Sequence, residues 1–163
     1  MACAADQSVE TDRVEKDFFS SSSEYVRLLS GDAKQRYISK LRYSGGNKQL
    51  PDPYGLVDGW SEDPKHWPDV TFGDVYAYLI EIPGPFTRES MKAYKSLEAY
   101  DFFIAGHVQP VFHNFITDES PYCFLKAKVI PSQRVKSKPH EAWVCCTKKT
   151  GSVYCAHCTC MAG

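Results

Sequence analysis

The segment from His140 to Gly163 constrains the fold more than any other. His140-Glu-Ala-Trp143-Val-Cys145-Cys146 and Val153-Tyr-Cys155-Ala-His157-Cys158 are short apolar runs on either side of a polar turn that ends in Gly151. Two such runs around a glycine-containing turn read as a β-hairpin. Alternation along the second strand puts Cys155 and His157 on one face, with Tyr154 and Ala156 on the other. Cys158 and Cys160 converge if the strand ends there and the backbone curls at Thr159. Clustered thiolates and an imidazole are common raw material for a zinc site. The candidate metal ligands are therefore Cys158 and Cys160. His157 adjoins Cys158 and points elsewhere. Cys155 reaches the pair only if the hairpin bends, and Cys145 and Cys146 fall on opposite faces of their strand.

Upstream, the chain reads as helices first and strands second. Residues 1–22 form a polar, loose start. Ser23–Ser30 makes two helical turns that Gly31 stops, and Asp32 with Gln35 three residues on is a capping-box pattern for a second helix. Ser44–Pro68 is a loop rich in Gly, Pro, Asp and Asn, with Tyr54, Leu56, Val57, Trp60 and Trp67 able to lie on a core. Thr71 with Asp74 caps a helix whose Phe72, Val75, Tyr76 and Leu79 form one apolar stripe. Pro83-Gly-Pro85 ends it, and Thr87 opens another helix to about Tyr100 with Met91, Tyr94 and Leu97 on one side. From Phe102 the period changes. Phe102–Ala105 and Val108–Phe115 read as extended, with Pro110 arguing for an edge strand or bulge. Tyr122–Ile130 reads as a nearly central strand whose Cys123, Leu125, Ala127 and Val129 face the helices from Phe72 and Met91. The expected class is α+β: short N-terminal helices, then a small antiparallel sheet ending in a hairpin with a Cys-x-Cys knuckle. The expected divisions are 1–22, 23–69 and 70–163, with the finger-like part at 140–163.

The formal charge is only -1, but it is unevenly distributed. Asp52, Asp58, Glu62, Asp63, Asp69, Asp74 and Glu81 lie in a stretch with one base, Lys65. Lys126, Lys128, Arg134, Lys136, Lys138, Lys148 and Lys149 lie in a stretch with one acid, Glu141. The basic set is a candidate phosphate-binding surface for DNA or RNA, and Tyr122 and Phe124, on the strand face of Lys126 and Lys128, would stack on bases. The two charged segments could equally attract one another or serve solubility. No window is apolar enough for a membrane span, and the start lacks the pattern of a signal peptide. Of the seven cysteines, five fall between Cys145 and Cys160. Such clustering suits reduced thiols or metal ligands in an intracellular setting, nuclear or cytoplasmic.

The run Gly151-Ser-Val-Tyr-Cys-Ala-His157-Cys-Thr-Cys-Met-Ala-Gly163 resembles the opening half of a SWIM-type zinc finger. Tyr94-Lys-Ser-Leu-Glu-Ala-Tyr100, Phe103-Ile-Ala-Gly106 and Pro139-His-Glu-Ala-Trp143-Val resemble the region before that finger in animal proteins of transposon- or virus-derived type. Those proteins often carry a YqaJ-like recombinase/exonuclease domain after the finger. The resemblance spans roughly residues 70–163 and implies that Cys158 and Cys160 are the first two zinc ligands. The Cys-x-His half and the nuclease domain of that family have no counterpart in these residues, so a partial, weakly held zinc site is expected.

Pairing a cysteine with His107, His113 or His157 as a nucleophile finds no support in spacing. The carboxylates Asp52, Asp58, Asp63 and Asp69 lack the alternation of a calcium loop. The functional expectation is a non-catalytic, zinc-finger-like module that binds nucleic acid or positions another domain. The alternative is a protein-interaction or structural module with no metal bound.

Overall fold

The computed structural model describes residues 17–42, 49–82, 101–132 and 136–160. The chain divides into two compact units, Met1–Asp58 and Gly59–Gly163.

The first unit is helical. Residues 17–21 are helical, followed by α1 (Glu24–Leu28) and α2 (Gly31–Lys40). Ser23 caps α1 by accepting the Val26 N–H, and Leu29 ends it. Ser30, not Asp32, is the N-cap of α2, so Gly31 opens a helix instead of stopping one. These helices are too short to persist alone and depend on tertiary packing. Val26, Tyr37, Ile38, Leu41 and Leu50 are buried together with Asp52. Asp52 accepts hydrogen bonds from the Tyr37 hydroxyl at 2.6 Å, the Ser23 N–H at 2.8 Å and the Tyr54 N–H at 3.0 Å. A buried carboxylate persists only with such partners. Asp52 thus ties the start of α1, the middle of α2 and the turn at Tyr54 to one another.

The second unit is built on a four-stranded antiparallel sheet in the order β1 (Phe112–Asn114), β2 (Tyr122–Val129), β3 (His140–Thr147), β4 (Val153–Cys158). Together with the short helices this makes the chain α+β. β2 is interior, as its long alternating run implies, and pairs with β3 from Tyr122↔Thr147 to Val129↔His140. Its faces differ from expectation. Leu125 is only half-buried, whereas Tyr122, Cys123 and Phe124 are all buried, so both faces are covered at this end of the strand. Phe124 meets Trp143 of β3 edge-to-face at 5.8 Å. On the other face Cys123 lies opposite Cys146, and its thiol donates to the Cys146 carbonyl.

β1 is an edge strand, and Ser61 covers its outer side by exchanging backbone hydrogen bonds with His113. Beyond Pro110 the strand direction resumes only as a bridge between Val108 and Val129. Residues 101–104 are helical, not extended. Gly106, at φ 77°, closes that turn: its N–H donates to Phe103 O and the His107 N–H to Phe102 O, the glycine-terminated helix end in which two orphan carbonyls are satisfied.

The capping box at Thr71 and Asp74 forms with both halves present and opens α3 (Phe72–Tyr76). The helix then widens into a π-turn at Ala77–Glu81, which breaks the expected stripe. Phe72 is 70% exposed. Tyr78 instead turns its hydroxyl to accept the outward Ala156 N–H of β4 at 3.1 Å, covering that sheet edge. The expected helix from Thr87 and the Pro83–Pro85 turn lie outside the described residues, as do 1–16.

At the hairpin turn Gly151 has φ 73°, and a Cβ there would overlap the Asp69 carbonyl and the Val70 nitrogen. Gly151→Ala therefore meets a left-handed backbone and a backbone clash together, and should cost more than about 2 kcal/mol in a urea unfolding titration. In the same assay Phe124→Ala should cost about 3–5 kcal/mol and exceed Leu125→Ala. The reverse order would overturn the assignment of the core face.

Candidate metal and basic sites

β4 delivers the cysteines in register: Cys155 lies opposite Cys145, His157 opposite Trp143 and Cys158 opposite Ala142. A bulge between Cys145 and Cys146 resets the pairing near the turn. Thr159 then holds the end of the strand. Its N–H donates to Glu141 O, and its hydroxyl accepts the Glu141 N–H at 2.9 Å. This places Cys158 and Cys160 at i and i+2 around a fixed residue. The Cys160 N–H donates to Cys158 Sγ at 3.2 Å. Both side chains are half-buried. Burial pushes the Cys158 thiol up to about 11; the Cys160 thiol adds to the rise, and the backbone N–H opposes it by favouring the thiolate.

The neighbouring donors take other roles. Cys155 is buried, and its thiol is engaged with Cys145, whose own pKa is driven far up by that hydrogen bond and then by burial. The His157 ring lies 6.1 Å from that of Trp143. Among the described residues, no three His, Cys, Asp or Glu side chains form a group that could hold a metal ion. Two thiols are half the number of donors that structural zinc takes.

Other thiols are packing residues. Burial raises Cys123 to about 11 and Cys146 to about 12, so both are protonated and poorly nucleophilic at neutral pH. His107 Nδ1 is bonded to Ile130 O at 2.9 Å, which ties its ring to the backbone.

Among the described residues, the bases do not form one surface. Lys128, Lys136 and Lys138 are exposed towards the His140 end of the β2–β3 pair, while Lys148 and Lys149 follow Thr147 at the other. Seven residue steps separate these ends, roughly 23 Å at about 3.3 Å per residue. Lys126 Nζ sits 4.0 Å over the Trp60 ring, and Lys148 Nζ donates to Thr117 O at 2.6 Å. Arg134 lies outside the described residues. Phe124 is fully buried and Tyr122 nearly so, and neither can stack on a base; the alternation that placed them beside the lysines did not register that this face is covered. Among the described residues, no helix is long and apolar enough to cross a membrane.

His113, which spacing did not support as a catalytic partner, has a distinct environment. It is buried, Nε2 has no hydrogen-bond partner, and its ring stands edge-on to Phe115 at 4.3 Å. Burial lowers its pKa below 6.5, and His66 and Lys148 lower it further. His66 itself lies 3.7 Å from Asp63. A neutral folded imidazole means that the unfolded chain binds the extra proton. Stability is then full above about 6.5 and falls as pH drops below that value towards the folded pKa. His113→Phe should flatten the decline of the urea midpoint between about pH 7.5 and 5; an unchanged slope would place the acid sensitivity elsewhere. Comparison with models of known protein families, with curated proteins and with solved structures finds no match to this chain.

Proposed function

We propose that this chain is a non-catalytic, zinc-finger-like module of SWIM type that positions or docks another protein domain. The supporting observation is the end of β4. Thr159 fixes the strand terminus, and the Cys160 N–H is directed at Cys158 Sγ. A backbone N–H donated to a ligand sulfur stabilises the thiolate that a metal requires. On this reading Cys158 and Cys160 are two of zinc's ligands, and the remaining donors come from beyond the described residues. Zinc would supply cross-linking of the hairpin end and no reaction chemistry. The raised thiol pKa values and the backbone-tied His107 support a role without catalysis. An intracellular site of action, nuclear or cytoplasmic, goes with the free thiols.

The wide separation of the bases favours domain positioning over nucleic-acid binding. Lys128, Lys136 and Lys138, exposed towards one end of the sheet, support DNA or RNA contact as the second reading.

Zinc content after dialysis tests the first reading. The 163-residue chain should retain little zinc. An extension carrying a Cys-x-His helix should retain one zinc per chain, and Cys158→Ser with Cys160→Ser should remove it. Zinc held equally by the double variant would defeat the ligand assignment. For the second reading, labelled single- and double-stranded oligonucleotides at about 50 mM salt should bind weakly, with affinity dropping steeply as salt rises. Lys136→Glu with Lys138→Glu should weaken that binding, and no binding at low salt would retire it.

A further inference from the structure

We propose that Cys158 and Cys160 form a two-coordinate site for a monovalent thiophilic ion, with Cu(I) as the ligand class. The inference rests on the same two side chains as the zinc reading, but not on zinc being bound. The Cys160 N–H donates to Cys158 Sγ at 3.2 Å, and both thiols are half-buried at a strand end. Cys155 is buried against Cys145, and the half-buried His157 ring stands 6.1 Å from that of Trp143. A pair of thiolates held this way leaves a tetrahedral ion half-coordinated, whereas soft thiolate donors are the preferred ligands of Cu(I). A low coordination number is ordinary for that d10 ion and matches the two sulfurs that converge.

Two further features favour the site. Thr159 is held to Glu141 through both its N–H and its hydroxyl, so the spacing of the sulfurs is set before an ion arrives. A bis-thiolate complex of a monovalent ion carries one net negative charge. The Cys160 N–H faces it directly, and the exposed Lys128, Lys136 and Lys138 lie towards the same end of the sheet. Binding is a ligand exchange without redox change: two S–H bonds are replaced by two S–Cu bonds, and two protons pass to solvent.

The experiment is an anaerobic titration of the full chain, reduced with a phosphine, using Cu(I) supplied as its acetonitrile complex against a chromogenic Cu(I) chelator. The expected result is one equivalent of Cu(I) withheld from the chelator, with a thiolate-to-copper charge-transfer band in the ultraviolet. Cys158→Ser and Cys160→Ser, singly or together, should abolish that step while the near-ultraviolet circular dichroism of buried Trp143 is kept. Absence of the step in the unsubstituted chain, or its survival in the double variant, would overturn the proposal. A parallel zinc titration separates the two readings. Cu(I) bound without zinc upholds this inference whatever the fate of the zinc finger; zinc bound one per chain without Cu(I) defeats it and leaves the zinc reading standing.

Discussion

The second unit depends on the contact between Phe124 and Trp143 across β2 and β3. Their rings meet edge-to-face at the centre of the sheet, where both side chains are withdrawn from water. Register in an antiparallel pair is fixed by which residues must be buried, because a slip of one residue exchanges the two faces. Here a slip would turn Phe124 or Trp143 to the other face and break their contact. The opposite face is closed too, by Cys123, Cys146 and His113. A sheet covered on both sides leaves little room between strands, and cysteine, a small apolar side chain, suits such positions.

That constraint sorts the thiols. Cys123, Cys145, Cys146 and Cys155 are buried at the doubly covered centre, and burial helps to hold the protons of the first three. Cys158 is the last paired residue of β4 and Cys160 lies just past it, where both sulfurs keep partial access to solvent. Clustering in the sequence therefore overstates the chemical cluster: neighbours along β4 serve packing at one end of the strand and could serve ligation at the other.

Much of the architecture was legible in the residues. The capping box at Thr71, the hairpin around Gly151, the interior position of β2 and the edge character of β1 each follow from local rules of backbone and period. What escaped was set by distant partners. Asp52 reads as one acid in a hydrophilic loop, yet it is the buried acceptor for Tyr37, Ser23 and Tyr54. Leu125 and its alternating neighbours read as the core face, because nothing local shows that Phe124 is also covered. The stripe from Phe72 fails because the backbone widens at Ala77, which lets Tyr78 reach the Ala156 N–H. Gly106 did carry a usable signal: a glycine after Phe103-Ile-Ala marks a helix end as readily as a break between strands.

The candidate site shows the same division. Cys-x-Cys spacing names the two thiols, but it does not say whether the intervening residue lets them converge. Thr159 decides this, since its side chain accepts the Glu141 N–H that the ending ladder would otherwise leave unpaired. The hydroxyl thereby continues the strand pairing by one step while the backbone departs, and the Cys160 N–H is freed to face Cys158 Sγ. A residue that looks like a tolerant spacer thus fixes the geometry of both neighbours. The basic residues lack any comparable organiser: two are held by Trp60 and Thr117, and the described remainder lie towards opposite ends of β2 and β3. Convergence, more than residue type, separates a site from a composition, and in this unit it occurs at the thiols.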